Sequence, residues 1–244
     1  SSIVDITNYV MYDLNRPLHA YDADKINKEI IVRNSKKEES FEALDNKNYT
    51  LDSNMCVITD KTGVLGLGGI IGGIRSGTEV STKNILLESA YFFPSGIRRT
   101  AKGLNIDTDA KYRFERGIDP NSIQEGLELA TRLILDICGG EASKFSIAGK
   151  LKKSVKSIDL SHEKFFSVIG SKISESETKK ILTFLGCEIG KRKKGIKVLP
   201  PSWRPDLKED IDLIEELVRM KGYNTIPLIS PQKDNIKDTL NYRQ

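Results

Sequence analysis

The chain has 244 residues, 38% of them hydrophobic, 30% charged and 7% aromatic, with a formal net charge of +4. That content supports packed cores and excludes wholesale disorder, and the length suits one large or two modest domains. No run reaches the roughly 18 apolar residues of a membrane-spanning helix, and no basic-then-apolar leader pattern is read at the start. Three scattered cysteines (Cys56, Cys138, Cys187) and two histidines (His19, His162) suit reduced, mostly buried thiols and no structural metal. Charge is uneven: residues 1–150 carry 19 Lys+Arg against 21 Asp+Glu, and residues 151–244 carry 19 against 13. The asymmetry points to two units, the second suited to a polyanion or an acidic partner, or simply lysine-rich at its surface.

In chain order, residues 30–33 and 55–59 read as short buried strands, and 85–88 reads the same way. Between the last two, the glycine-dense stretch 63–77 predicts a strand–turn–strand passage through a core. Ser122 and Glu125 predict a capping box for a helix whose apolar face is Ile123, Leu127, Ala130, Ile134 and Ile137, ended by Gly139-Gly140. The basic crossing 150–156 is the expected domain boundary. Beyond it come a short helix over 161–169 and a second opened by a Ser174/Glu177 capping box. A hairpin follows, with its basic tip at 190–195. A last helix begins at Asp206 and Glu209, with Ile211, Ile214, Leu217 and Val218 as its apolar face. This order resembles small winged nucleic-acid-binding folds. Residues 230–244 are polar and linker-like, and both ends are expected to continue into a longer protein.

The glycine stretch lacks the spacing of a phosphate loop or a dinucleotide fingerprint, leaving either tight β crossings or a pocket wall built from bare backbone. No nucleophile elbow or Cys–His pair is present. His19, after Pro17-Leu18, is a structural imidazole or a site residue. Glu88 sits in an apolar strand: either it reaches solvent, or it forms a pocket floor awaiting a donor, because an unpaired buried charge is costly. Arg98, Arg99, Lys102, Lys111, Arg113 and Arg116 follow the aromatic run 91–93. Basic residues among aromatics suit nucleic-acid backbone and unstacked bases, or are paired within the fold.

Several segments, in order and spacing, resemble the β subunit of bacterial phenylalanyl-tRNA synthetase. They are residues 4–10 (Val-Asp-Ile-Thr-Asn-Tyr-Val), 16–22 (Arg-Pro-Leu-His-Ala-Tyr-Asp), 68–73, 86–93, 107–117 and 137–141, then 185–188, 200–204 (Pro-Pro-Ser-Trp-Arg) and 222–227. The resemblance implies an α+β chain. A mixed-sheet editing domain of the tRNA-binding B3/B4 type spans residues 1–149 and is shortened at its start. A small winged-helix-like B5-type domain spans 152–228, and 229–244 links to a catalytic-like core. It implies hydrolysis of tyrosine misattached to the phenylalanine tRNA. Glu88 would accept the tyrosine hydroxyl, with Gly69 and Gly72 against the ring and Thr108 and Ala110 shaping the wall. His19, Thr7 and Asn8 would sit at the ammonium and ester end, and Arg98, Arg99 and Lys102 on tRNA. Arg16 and Leu18 stand where the family often has Gln and Met. No cofactor is expected in this segment; the full enzyme would use ATP and magnesium, pair with an α subunit in an α2β2 heterotetramer, and work in the cytoplasm. The alternatives are a non-catalytic tRNA-docking fragment, or a nucleic-acid-binding module through the basic second unit.

Overall fold

The computed structural model describes residues 1–150, 156–191 and 195–228. The chain divides into two compact units, Ser1–Lys153 and Ser154–Gln244. The linker-like tail and the tip of the basic hairpin (residues 192–194) lie outside the described residues.

The first unit opens with α1 (Ser2–Leu14), then β1 (Leu18–Asp22), β2 (Ile31–Asn34), β3 (Glu39–Glu42), β4 (Asn48–Leu51), β5 (Cys56–Thr59), β6 (Val64–Leu67), β7 (Ile71–Gly72) and β8 (Ile85–Ser89). Three helices follow: α2 (Pro94–Leu104), α3 (Asp109–Phe114) and α4 (Ile123–Cys138). The strands expected at 30–33, 55–59 and 85–88 are β2, β5 and β8, but β2 is not buried as expected, because it is the edge of its sheet and leaves Ile31 and Val32 exposed; the glycine stretch crosses the core as β6, a turn and β7. Among the described strands every ladder is antiparallel, so the unit holds three small antiparallel sheets rather than one mixed sheet: β2-β5-β6-β7, β3-β4 and β1-β8.

Two clusters hold the unit together. Tyr21, Val57, Ile58, Leu65, Leu67, Phe92, Ile97 and Phe114 form the main core under the sheets. Ile6 and Val10 of α1, four residues apart on one helical face, pack on Ala130 of α4 beside Leu18 and Leu87. This corrects the expected face of α4. Ala130, Leu133 and Ile134 pack inward, whereas Ile137 is 62% exposed. On the inward face Gly126 and Ala130 are small, so the Arg16 stem lies where a Cβ at Gly126 would stand and α1 packs on Ala130. The capping box at Ser122 is also absent: its hydroxyl is taken by Arg16 and receives two of that guanidinium's N–H bonds.

The second unit runs β9 (Ile158–Leu160), α5 (His162–Ile169), α6 (Glu175–Phe184), β10 (Glu188–Lys191), β11 (Ile196–Leu199) and α7 (Asp210–Lys221). Ser161 and Ser174 cap α5 and α6 by accepting N–H bonds from Lys164 and Glu177. The sheet order is β10-β11-β9; β9, too short to register as a periodic pattern, completes it behind the hairpin. The last helix begins later than expected, with Glu209 as its cap in a reciprocal box with Asp212, while Asp206 pairs with Arg204 in the preceding turn. Ile211 is 43% exposed, and Leu213 takes its place in a core with Phe165, Leu182, Val198, Ile214 and Leu217. The cysteines are less buried than expected, since Cys138 is exposed at the end of α4.

Candidate functional site

The site is built on the β1–β8 ladder, where His19 stands opposite Glu88. Side chains alternate across a sheet, so His19 and Tyr21 share one face with Glu88, while Leu18 and Leu87 face the α1–α4 cluster. The first face opens on a cavity of about 80 Å³ lined by both strands, by the glycine stretch 66–72, and by Phe92, Ala110 and Phe114. It is small beside the roughly 300–1,000 Å³ of pockets for drug-sized ligands, and so fits one ring rather than a cofactor.

Glu88 does not wait unpartnered. The Tyr21 hydroxyl donates to its Oε2 at 2.6 Å, and no donor among the described residues reaches Oε1. Burial pushes the Glu88 carboxyl above its ordinary pKa, against the downward pull of the Tyr21 hydrogen bond. Burial and the neighbouring carboxylate both push the Tyr21 phenol upward, so the proton stays on the phenol. His19 lies edge-on to Tyr21, with ring centroids 4.4 Å apart at 80°. Burial lowers its pKa from 6.5 to about 4, which keeps the imidazole neutral. Its Nε2 is buried without a hydrogen-bond partner. Such an orphan is uncommon in a native interior and marks a place for a ligand or water.

The glycines make this packing possible. A Cβ at Gly72 would stand 2.7 Å from His19 Nε2, and one at Gly69 would stand 2.7 Å from the Phe92 ring, at a φ of +71 that favours glycine. Both line the cavity, and what each first admits is a side chain of the protein itself. Ala110 also lines it. Thr108 does not: its hydroxyl caps α3 by accepting from the Lys111 N–H and donates to the Ile70 carbonyl at 2.8 Å, tying α3 to the glycine turn. Thr7 and Asn8 also lie apart from the lining. Thr7 is buried in α1 and bonds the Val4 carbonyl, and Asn8 is exposed.

Arg98, Arg99 and Lys102 lie on the exposed side of α2, where Arg98 donates to the Glu115 carbonyl. On α3 and just beyond, Lys111, Arg113 and Arg116 are engaged with Asp107, Asp109 and Glu115. Among the described residues no group of three or more His, Cys, Asp or Glu side chains could hold a metal ion, and no helix is long and apolar enough to cross a membrane.

Two residues stood inside the 16–22 motif without being singled out as part of the site's architecture. Tyr21 was legible from its two-residue spacing to His19. Arg16 was not: it is 0% exposed, donating to the Ala90 carbonyl at 2.8 Å, to the Asp119 carbonyl and to Ser122 Oγ. Desolvation draws its pKa down to about 10, partly countered by Asp119. It joins the entry of β1 to the exit of β8 and the start of α4.

Residues 1–139 match the B3/4 domain family, and residues 158–223 match the tRNA synthetase B5 domain. The chain is 46% identical over 220 residues to the phenylalanine–tRNA ligase β subunit of Ruegeria pomeroyi, covering 90% of this chain and 27% of that protein. It is 44% identical over 227 residues to the β subunit of Paramagnetospirillum magneticum, covering 93% of this chain and 28% of that protein. The chain thus spans under a third of the length of these relatives. An N-terminal fragment of the phenylalanyl-tRNA synthetase β subunit from Pyrococcus horikoshii superimposes with a TM-score of 0.43 at 16% identity, covering 91% of this chain and 65% of that one. With residues 1–139 matching the B3/4 domain, residues 158–223 matching the B5 domain, and both lying within the stretch aligned to these relatives, the chain belongs to the phenylalanine–tRNA ligase β-subunit family.

Proposed function

We propose that the first unit hydrolyses tyrosine wrongly esterified to the phenylalanine tRNA, and that it does so as part of a cytoplasmic α2β2 enzyme whose α subunit attaches phenylalanine. ATP and magnesium serve that attachment in the whole enzyme, and neither enters the hydrolysis proposed for this unit. The observation that carries the reading is the 2.6 Å bond from the Tyr21 phenol to Glu88: the fold already sets a phenol against this carboxyl, beside a cavity of ring size.

Tyrosine differs from phenylalanine by one hydroxyl. A buried acceptor that receives that hydroxyl penalises the ligand lacking it, and sites built this way discriminate by about 10⁴–10⁵-fold. The ester is an activated bond, so a positioned water and a polarised carbonyl suffice for its hydrolysis. Water adds to the ester carbonyl carbon, the tetrahedral adduct collapses, and the tRNA hydroxyl leaves with a proton, releasing tyrosine. Neutral His19, with its unpartnered Nε2, is suited to orient the water or accept its proton. Thr7 and Asn8 are assigned no chemical step. Arg98, Arg99 and Lys102 offer phosphate contacts on α2, and the second unit is assigned an architectural role.

The test is deacylation of tyrosyl- and phenylalanyl-tRNA by the heterotetramer carrying Glu88→Ala. Hydrolysis of the tyrosyl ester is expected to fall at least about 100-fold, the order set by losing a hydrogen bond to a charged group and the preorganisation it supplies. Charging with phenylalanine should be unchanged. A variant that clears tyrosyl-tRNA at the parental rate would end this reading.

A further inference from the structure

We infer that Tyr21 is the specificity-setting partner of Glu88: its phenol holds Oε2 permanently, so that Oε1 alone is presented to the hydroxyl of an incoming aromatic amino acid. The inference rests on the proposed function and adds a residue that reading did not need.

The geometry carries it. A carboxylate can accept donors on both oxygens at once, and here one oxygen is occupied and the other has no donor among the described residues. Tyr21 cannot readily give way to a ligand. It is 2% exposed, its backbone sits in the ladder opposite Leu86, and it bridges to Gly77 on its other side. Moving the ring would break the main core, of which it is a member. The phenol is therefore a fixture of the wall, and a ligand must meet the carboxyl at Oε1.

Two consequences follow. With Oε2 tethered, rotation of the carboxyl plane is restrained, so Oε1 favours a hydroxyl placed at the matching point of the ring. The Tyr21 ring also braces the neighbouring part of the wall, since His19 rests edge-on against it and is backed by Gly72. Tyr21 thus fixes Glu88 and His19 relative to one another. Among the described residues, the titratable groups facing Glu88 are Tyr21 and His19 of β1 and Cys56 of β5, whose thiol is pushed up by burial first and then by Glu88. None of these is a cation that could take over when the phenol is removed.

The variant Tyr21→Phe keeps the ring, its edge contact and its core volume and deletes only the donor. Free L-tyrosine and L-phenylalanine are titrated calorimetrically into the heterotetramer under conditions where the synthetic site is filled by a non-hydrolysable phenylalanyl-adenylate analogue. The parent should prefer tyrosine, and Tyr21→Phe should lose about 10- to 100-fold of that preference, the value of a hydrogen bond to a charged acceptor. Tyrosine binding by the variant should also become more pH-dependent, because an undonated buried carboxyl protonates more readily. Glu88→Gln serves as the control that keeps the Tyr21 acceptor and removes the charge. Unchanged preference and unchanged pH dependence in Tyr21→Phe overturn the inference, as does a parent that binds the two amino acids equally. If the parent prefers tyrosine, the variant loses the preference, and neither hydrolyses the ester, the inference stands and the proposed function falls.

Discussion

Glu88 of the first unit and Glu216 of the second are both drawn out of water, and the two are treated in opposite ways. Glu216 of α7, 4% exposed, receives Arg204 on Oε1 at 2.6 Å and Arg219 on Oε2. Burial pushes its carboxyl upward, but the two guanidinium groups prevail and hold it below the ordinary range. Glu88 receives one neutral phenol on one oxygen, and burial prevails. A carboxyl saturated by cations is a fastener between a loop and a helix. One left half-satisfied beside a cavity retains binding capacity that a ligand can use.

The largest test of this contrast is Glu216→Gln. The amide accepts from one guanidinium and turns a donor toward the other, which leaves a cation without its partner. Breaking buried pairs costs about 3–5 kcal/mol. The lower end applies here, because the Arg219 side chain is 45% exposed and water compensates part of the loss. A loss of about 3 kcal/mol is therefore expected. The sole tryptophan, Trp203, lies in the second unit beside Gly186, so its fluorescence during urea unfolding reports that unit directly. Acid has the same sense: with the folded pKa depressed, stability from Glu216 is present above the unfolded value of about 4.5 and lost as pH falls through the folded one.

His19 gives the next largest effect. Its folded pKa of about 4 lies below the ordinary imidazole value of 6.5, so the fold must expel a proton that the unfolded chain binds. The contribution is complete above about pH 6.5 and is lost as pH falls toward 4. By linkage it amounts to about 2 kcal/mol between about pH 7.5 and about pH 5. Calorimetric unfolding should show the parent losing about 2 kcal/mol more than His19→Asn across that range. Parallel curves would mean that the imidazole is not held neutral in the wall.

Much of the frame was legible because it follows local rules. The strands at β2, β5 and β8, the glycine crossing and the serine caps of α5 and α6 each come from a few adjacent residues. The placement of Glu88 and His19 around one cavity was anticipated from the resemblance, and the two-residue alternation of β1 and β8 accounts for it physically. What escaped depends on contacts distant in sequence. Arg16 stands out in the sequence only as a departure from the family's usual Gln, and its role depends on Ser122, more than a hundred residues away, which accepts from it. Ser122 read as a helix cap because the same hydroxyl has two uses, and only the fold decides between them. The resemblance groups Thr7 and Asn8 with His19, and the structure places the two on α1 outside the lining of the cavity.

The smallest effect separates the two glutamates most sharply, because its sign differs. Glu88 has its folded pKa raised, so the fold retains a proton that the unfolded chain releases, and deprotonation costs stability as pH rises above the unfolded value of about 4.5. Glu88→Gln removes that cost while its carbonyl still accepts from Tyr21. At pH 7 the variant should therefore be more stable than the parent by about 1 kcal/mol, in the range typical of relieving a functional compromise. The gain should shrink to nothing as the pH is lowered below about 4.5, where the parent carboxyl is protonated in both states. Glu216→Gln should move the other way at pH 7 under the same conditions. Thermal unfolding of the two variants side by side decides the matter. A Glu88→Gln protein less stable than its parent at neutral pH would place Glu88 with Glu216 among the fasteners, and would remove the reason to regard its free oxygen as a site.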